Sequence, residues 1–239
     1  MDSLLFLYGE IRSFETAIKT WNILDIPNLD IVIHTPDTNS NHFDNNTFND
    51  ISRADFDKLG NPKIFFYDRD DYLTTDTHVL HYSYRFLSKY LKTSKKYKYI
   101  FIGRLDSTFY IHKLEEFLEK CDNSLYVQEL PKKENNFIPD HVFFGKYDIV
   151  KKFVDNLPPA TELEYSHQDM VRYLINHKFD LSIWNNFESR HVRDNMEDIF
   201  NEYFKHRNPI QDTDNDYREF YKTNQELFIK LDNEYKHRY

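Results

Sequence analysis

The stretch from Leu4 to His34 restricts the fold more than any other part of the chain. Leu4-Leu-Phe-Leu-Tyr8 is an unbroken apolar run of strand length, and Gly9-Glu-Ile-Arg-Ser13 turns away from it. Phe14, Ala17, Ile18, Trp21 and Leu24 then recur at helical spacing, so a helix is expected over roughly 14–24 with Ser13 as its cap. Pro27-Asn28 ends it, and Leu29-Asp-Ile-Val-Ile-His34 is a second strand. Strand, helix and strand within about thirty residues make a βαβ unit. Such a unit pairs its strands in parallel, with a right-handed crossover.

The alternation continues along the chain. Lys63–Tyr67 reads as a third strand, and Leu80, Tyr84, Leu87 and Leu91 mark one face of a helix from about Thr77 to Leu91. A strand at Tyr99–Ile102, a helix through Leu114, Phe117 and Leu118, and strands at Leu125–Leu130 and Phe137–Gly145 follow. Ile149, Val150, Phe153 and Leu157 share a helix stopped by Pro158-Pro159, His167 opens another, and Phe179–Trp184 is a late strand. Residues 39–60 are polar and read as a surface loop or loosely helical insertion, with a mobile lid as the functional alternative. The expected architecture is α/β: a mixed, mainly parallel sheet with helices on both faces over 1–208. An aromatic helical extension over 209–239 packs on that domain or forms the seam of a homodimer.

Composition removes several classes of function. A formal charge of −9 argues against non-specific nucleic-acid binding, which needs Lys and Arg to neutralise phosphates. The single cysteine, Cys121, excludes an intrachain disulfide and a Cys-rich zinc site. No apolar run approaches membrane-spanning length, and Met1–Tyr8 is too short and too acidic for a signal peptide, so a cytoplasmic protein is expected. With only four glycines, at 9, 60, 103 and 145, neither a dinucleotide fingerprint nor a P-loop can be written. A serine nucleophile elbow and a His-Glu-x-x-His zinc motif are also missing, and His141, His167 and His191 are dispersed.

Lys98–Ile111 concentrates the chemistry that remains. The apolar run Tyr99–Ile102 turns polar at Gly103-Arg104-Leu105-Asp106 and then returns to Phe109, Tyr110 and Ile111. Charges at the end of a buried strand are costly unless they have partners. Two readings stand: an internal Arg104–Asp106 pair or a solvated turn, against a grip for a phosphate, a metal or both at the carboxyl edge of the sheet.

Taken in order, the polar strand ends resemble those of glycosyltransferases with a single Rossmann-like nucleotide-sugar domain, the GT-A fold, and small viral and bacterial members most. The resemblance rests on Gly9-Glu-Ile-Arg12, Asp30-Ile-Val-Ile-His-Thr35, His81-Tyr-Ser-Tyr-Arg85, Arg104-Leu-Asp106 and Asp140-His-Val-Phe-Phe-Gly145, across roughly residues 4–185. It implies a nucleotide-diphosphate sugar donor and a glycan or glycoprotein acceptor, and a location in host cytoplasm for a viral member. Gly9, Arg12, Thr35, Arg85, Arg104 and Asp106 would then bind the nucleotide sugar.

Many members carry Asp-x-Asp where this chain has Arg104-Leu-Asp106, and use it to hold Mn²⁺ or Mg²⁺ on the diphosphate. Asp106 is the one acid left for that metal, and Arg104 is placed to supply positive charge directly. Asp140 and Asp169 are candidates for deprotonating the acceptor hydroxyl. Asp169 also fits as a first-turn residue complementing a helix dipole, and Arg12 as a surface charge at a helix entry. The alternative for the whole chain is a noncatalytic binding or assembly protein that uses the aromatic tail.

Overall fold

Ser3–Tyr8 (β1) buries all six of its side chains. A strand does this only when both faces of its sheet are covered, which is the usual setting of parallel sheets. The computed structural model describes residues 2–9, 14–18, 21–36, 56–67, 79–107, 109–111, 113–127, 142–157, 173–174, 176–183 and 187–188. All belong to the first of two compact units, Met1–His191. The second, Val192–Tyr239, lies outside the described residues, and with it the extension expected over 209–239.

After β1 come a short helix α1 (Phe14–Ile18), a 3-10 turn (Asn22–Asp25), β2 (Leu29–Pro36) and β3 (Lys63–Tyr67). Helix α2 (Val79–Thr93) leads into β4 (Tyr99–Arg104), β5 (Tyr110–Ile111) and α3 (Leu114–Lys120). Then follow β6 (Leu125–Val127), β7 (Val142–Lys146), α4 (Tyr147–Asp155), β8 (Leu181–Ser182) and β9 (Phe187–Glu188). Seven strands form one sheet in the order β3-β2-β1-β4-β7-β6-β8, and β5 pairs β9 in a small separate ribbon. The β3-β2-β1-β4 half is parallel throughout, whereas β7 runs antiparallel between β4 and β6. The expected mixed, mainly parallel α/β sheet is therefore what forms.

Strand alternation sorts the core into two layers. Leu4, Phe6 and Tyr8 of β1 share one cluster with Val32, Ile100, Ile102 and Phe143. Leu80, Tyr84, Leu87 and Leu91 of α2 and Val150, Phe153 and Val154 of α4 cover that cluster. The intervening side chains serve the other face, where Phe101 meets Phe109 and Phe144, and Phe144 meets Phe117 of α3 edge-on at 4.9 Å. Each large apolar side chain buried in this way contributes about 1.5–3 kcal/mol.

The helix expected over 14–24 is the main local difference. It breaks into α1 and the 3-10 turn, with Trp21 between them at φ −84°, ψ 80°. Helical periodicity placed the apolar face in part: Phe14, Ala17 and Trp21 are buried, Ile18 and Leu24 are only half-buried, and Ile23, outside the periodic set, is buried instead. The side chains of Trp21 and Asn22 bond to backbone beyond residue 105, and those tertiary bonds prevail over a weak local preference. Of the strand expected at 137–145, residues 142–145 lie in β7 and 137–141 fall outside the described residues. Residues 128–130 and 37–55 fall outside them as well.

Candidate functional site at the carboxyl edge of the sheet

Three parallel strands bring their carboxyl ends together. Tyr8 of β1 stands in register with His34 of β2 on one side and Arg104 of β4 on the other. The chain order reverses here, since β2 follows β1 to one side and β4 is added to the other. Such a reversal opens a crevice at the carboxyl edge, the usual ligand position of an open α/β sheet.

Gly9 leaves β1 at φ +95°, where an L side chain is strained. A Cβ there would meet nothing within 4 Å, so the glycine serves the backbone turn and not a close approach. The Thr35 hydroxyl donates to the Gly9 carbonyl at 3.0 Å, tying the ends of β1 and β2. On the other side the Leu105 amide donates to the Tyr8 carbonyl at 3.0 Å, extending the β1–β4 ladder by one residue.

Arg104 and Asp106 form a two-point ion pair. Nε donates to Oδ1 at 2.9 Å and Nη2 to Oδ2 at 3.0 Å. The Asp106 side chain is fully buried, whereas Arg104 keeps 17% of its side chain exposed. The internal pair of the first reading is therefore what forms. A hard divalent cation would have to share this carboxylate with the guanidinium. It needs carboxylate oxygens turned toward it, and both oxygens of Asp106 accept from Arg104. Among the described residues no group of three or more His, Cys, Asp or Glu side chains converges to hold a metal.

The loop after β4 is fastened from the opposite face. Trp21 Nε1 donates to the Ser107 carbonyl at 2.9 Å. Asn22 Nδ2 donates to the Ile111 carbonyl at 2.6 Å, and the Ile111 amide donates back to Asn22 Oδ1 at 2.9 Å. These three bonds fasten the segment that follows Asp106. Sequence reasoning assigned Trp21 to a helix face and gave Asn22 no role. Partners 86 and 89 residues apart leave no local signal.

His34 is a structural member of the site. Its ring lies 4.2 Å from Phe86, stacked, and 4.5 Å from Tyr67, and Nδ1 is 3.0 Å from the Ser83 hydroxyl. Burial pushes its pKa down to about 3, so the imidazole is neutral at physiological pH. A neutral, enclosed ring joins β2 to α2. Arg85 lies in the second turn of α2, half-buried, next to Tyr84, whose ring meets Tyr8 edge-on at 5.4 Å. Helix α2 therefore presents this turn at the carboxyl edge. Arg12, Asp140 and Asp169 lie outside the described residues. Asp140 precedes by two positions Val142, which is in register with Gly103.

A separate cleft of about 400 Å³ lies at the amino end of β2, between the 3-10 turn at Asn22–Asp25 and a second one at Asp57–Leu59. Leu24, Ile26, Leu29, Ile31 and Leu59 line it, with Asn28 and Lys58 as its polar members. It is at the opposite edge from the strand-end residues. Among the described residues no helix is long and apolar enough to cross a membrane.

No family model matches the chain, and no curated protein matches it. Solved structures give a partial likeness. The apo form of the glycosyltransferase GlyE from Streptococcus pneumoniae TIGR4 is 12% identical with a TM-score of 0.45, over 76% of this chain and 45% of that one. The chain thus spans less than half the length of that structure. The galactosyltransferase LgtC, solved with donor and acceptor sugar analogues, is 10% identical with a TM-score of 0.45, over 76% and 72% of the two chains. A putative glucose-1-phosphate thymidylyltransferase from Bacillus anthracis, in complex with sucrose, is 12% identical with a TM-score of 0.45, over 87% and 97%. Likeness at this level does not bear on what the chain binds or transforms.

Proposed function

We propose that this protein is a glycosyltransferase that moves a sugar from a nucleotide-diphosphate donor to a hydroxyl of a glycan or glycoprotein. The carrying observation is the convergence of Gly9, Thr35 and the Arg104–Asp106 pair on adjacent parallel strand ends, where the strand order reverses. Nucleotides bind in such crevices, and a planar guanidinium suits a diphosphate. The ordered motifs that resemble the GT-A glycosyltransferases add the reaction type.

In this reading the base and ribose lie against the ends of β1 and β2, by Gly9, Thr35 and Arg12. The diphosphate lies against the end of β4, within reach of Arg104 and of Arg85 on α2. As the glycosidic bond breaks, positive charge builds on the sugar ring and negative charge on the departing diphosphate. A fixed guanidinium at that strand end stabilises the second of these charges. An acceptor hydroxyl gives its proton to a carboxylate, and Asp140 and Asp169 are the candidates.

The test is a panel of nucleotide sugars incubated with hydroxyl acceptors, following release of the nucleoside diphosphate. One donor class should be consumed, and Asp140→Asn should lower kcat about a hundredfold or more, as loss of a general base does. Failure of every nucleotide sugar to bind would overturn the assignment in favour of a noncatalytic module. Release of pyrophosphate from a nucleoside triphosphate and a sugar phosphate would replace it with nucleotidyl transfer.

A further inference from the structure

We propose that Trp21 and Asn22 are positioning residues of the donor site: they hold the loop after β4 at the place where it meets the diphosphate of a nucleotide bound against β1 and β2. The inference rests on the reading of the carboxyl edge as the donor site and adds what fixes its two sides relative to each other. The Arg104–Asp106 pair sits in a turn, which the Ser107 amide closes by donating to the Arg104 carbonyl at 3.3 Å. Trp21 Nε1 donates to the carbonyl of that same Ser107 at 2.9 Å, in a buried bond. Further along, Asn22 grips the Ile111 backbone in both directions, at 2.6 and 2.9 Å.

The loop is held by side chains because it is buried. Leu105, Asp106, Ser107, Phe109 and Ile111 are each no more than 2% exposed, and the backbone groups of a buried segment need partners. The ladder between β1 and β4 ends with the bond from Leu105 to Tyr8, so from Asp106 onward that ladder no longer sets the path of the chain. Side chains of the β1–β2 crossover take over at Ser107 and Ile111. The same crossover belongs to the other side of the site. It starts at the Gly9 turn, and Phe14, the first residue of α1, meets the Trp21 ring edge-on at 5.7 Å. One segment thus touches both the helix that follows β1 and the loop that follows β4, and it sets their separation. A nucleoside diphosphate spans both sides and gains from both only while their spacing matches its own. A monophosphate, confined to the nucleoside side, is indifferent to that spacing.

Isothermal titration calorimetry of the full chain, with Mn²⁺ present, tests the proposal with UDP, GDP, CDP and ADP and with the matching monophosphates, the latter also by displacement. The parent is compared with Asn22→Ala, Asn22→Asp and Trp21→Phe, each checked for folding by circular dichroism. Trp21→Phe deletes the Nε1 donor but keeps a ring against Phe14, and so guards against a variant that simply fails to fold. Trp21→Phe and Asn22→Ala should weaken the preferred diphosphate by about fivefold or more, with its monophosphate held within about twofold. Asn22→Asp keeps the acceptor for the Ile111 amide and should lose less. Diphosphate affinity unchanged in Trp21→Phe and Asn22→Ala would overturn the proposal. So would equal weakening of monophosphate and diphosphate, which is what a merely structural role produces. A parent that binds a diphosphate but no monophosphate would leave no separate nucleoside side to align, and the proposal would fall with the donor-site reading still standing. If the parent bound no nucleoside diphosphate, the donor-site reading would fall along with it.

Discussion

At the scale of the residue, His34 shows how a polar side chain in a strand-end motif can be structural. Its motif, Asp30-Ile-Val-Ile-His-Thr35, marked the end of β2 as polar, and the strand does end there at the carboxyl edge. The aromatic enclosure by Tyr67 and Phe86 that keeps the ring neutral arises from side chains 33 and 52 positions away, which spacing alone does not connect. The consequence is a stability that depends on pH. With a folded pKa of about 3 against an ordinary 6.5, the unfolded chain binds the extra proton between those values. Above pH 6.5 the ring is neutral in both states and contributes no slope. As pH falls through this window the native state loses about 1.4 kcal/mol per unit from this group. Urea unfolding at pH 7 and pH 5 should therefore show a smaller acid loss for His34→Phe than for the parent, by roughly 2 kcal/mol. Equal losses would mean that the imidazole is charged in the folded protein.

At the scale of the element, the segment between β1 and β2 carries the clearest lesson. Its apolar periodicity located the buried face in part: Phe14, Ala17 and Trp21 pack inward, whereas Ile18 and Leu24 are only half-buried and Ile23 takes the inward place. Its continuity as one helix was not legible, because the break is set by bonds from Trp21 and Asn22 to a loop that follows β4. The two-way contact between Asn22 and the Ile111 backbone leaves a clear signature when removed. Ile111 is fully buried, so Asn22→Ala strands its amide and carbonyl and should cost about 1–3 kcal/mol in chemical denaturation. Asn22→Asp keeps the acceptor for the Ile111 amide and should lose less. A neutral Asn22→Ala would show that this loop is held by packing alone. The apolar runs of β1, β2 and β4 were legible for the opposite reason: strands covered on both faces are apolar almost without interruption.

At the scale of the whole molecule, alternating apolar runs and helical segments were enough to give a mainly parallel sheet with helices on both faces. They were not enough to place β7, which enters antiparallel beside β4 and brings residue 142 to the same edge as Gly103. Strand direction depends on where a connection leads, which local pattern does not encode. The sheet therefore has two places to compare: the carboxyl edge, where the donor is proposed to bind, and the cleft of about 400 Å³ with mixed polar and apolar lining at the amino end of β2. Hydrogen–deuterium exchange with and without the nucleotide sugar found in the donor panel separates them directly. Slower exchange is expected at Gly9, at Thr35 and across Gly103–Ser107, with Leu24–Leu29 and Lys58–Leu59 unchanged. Protection confined to the amino-end cleft, with the strand ends exchanging as before, would contradict the assignment of the carboxyl edge as the donor site.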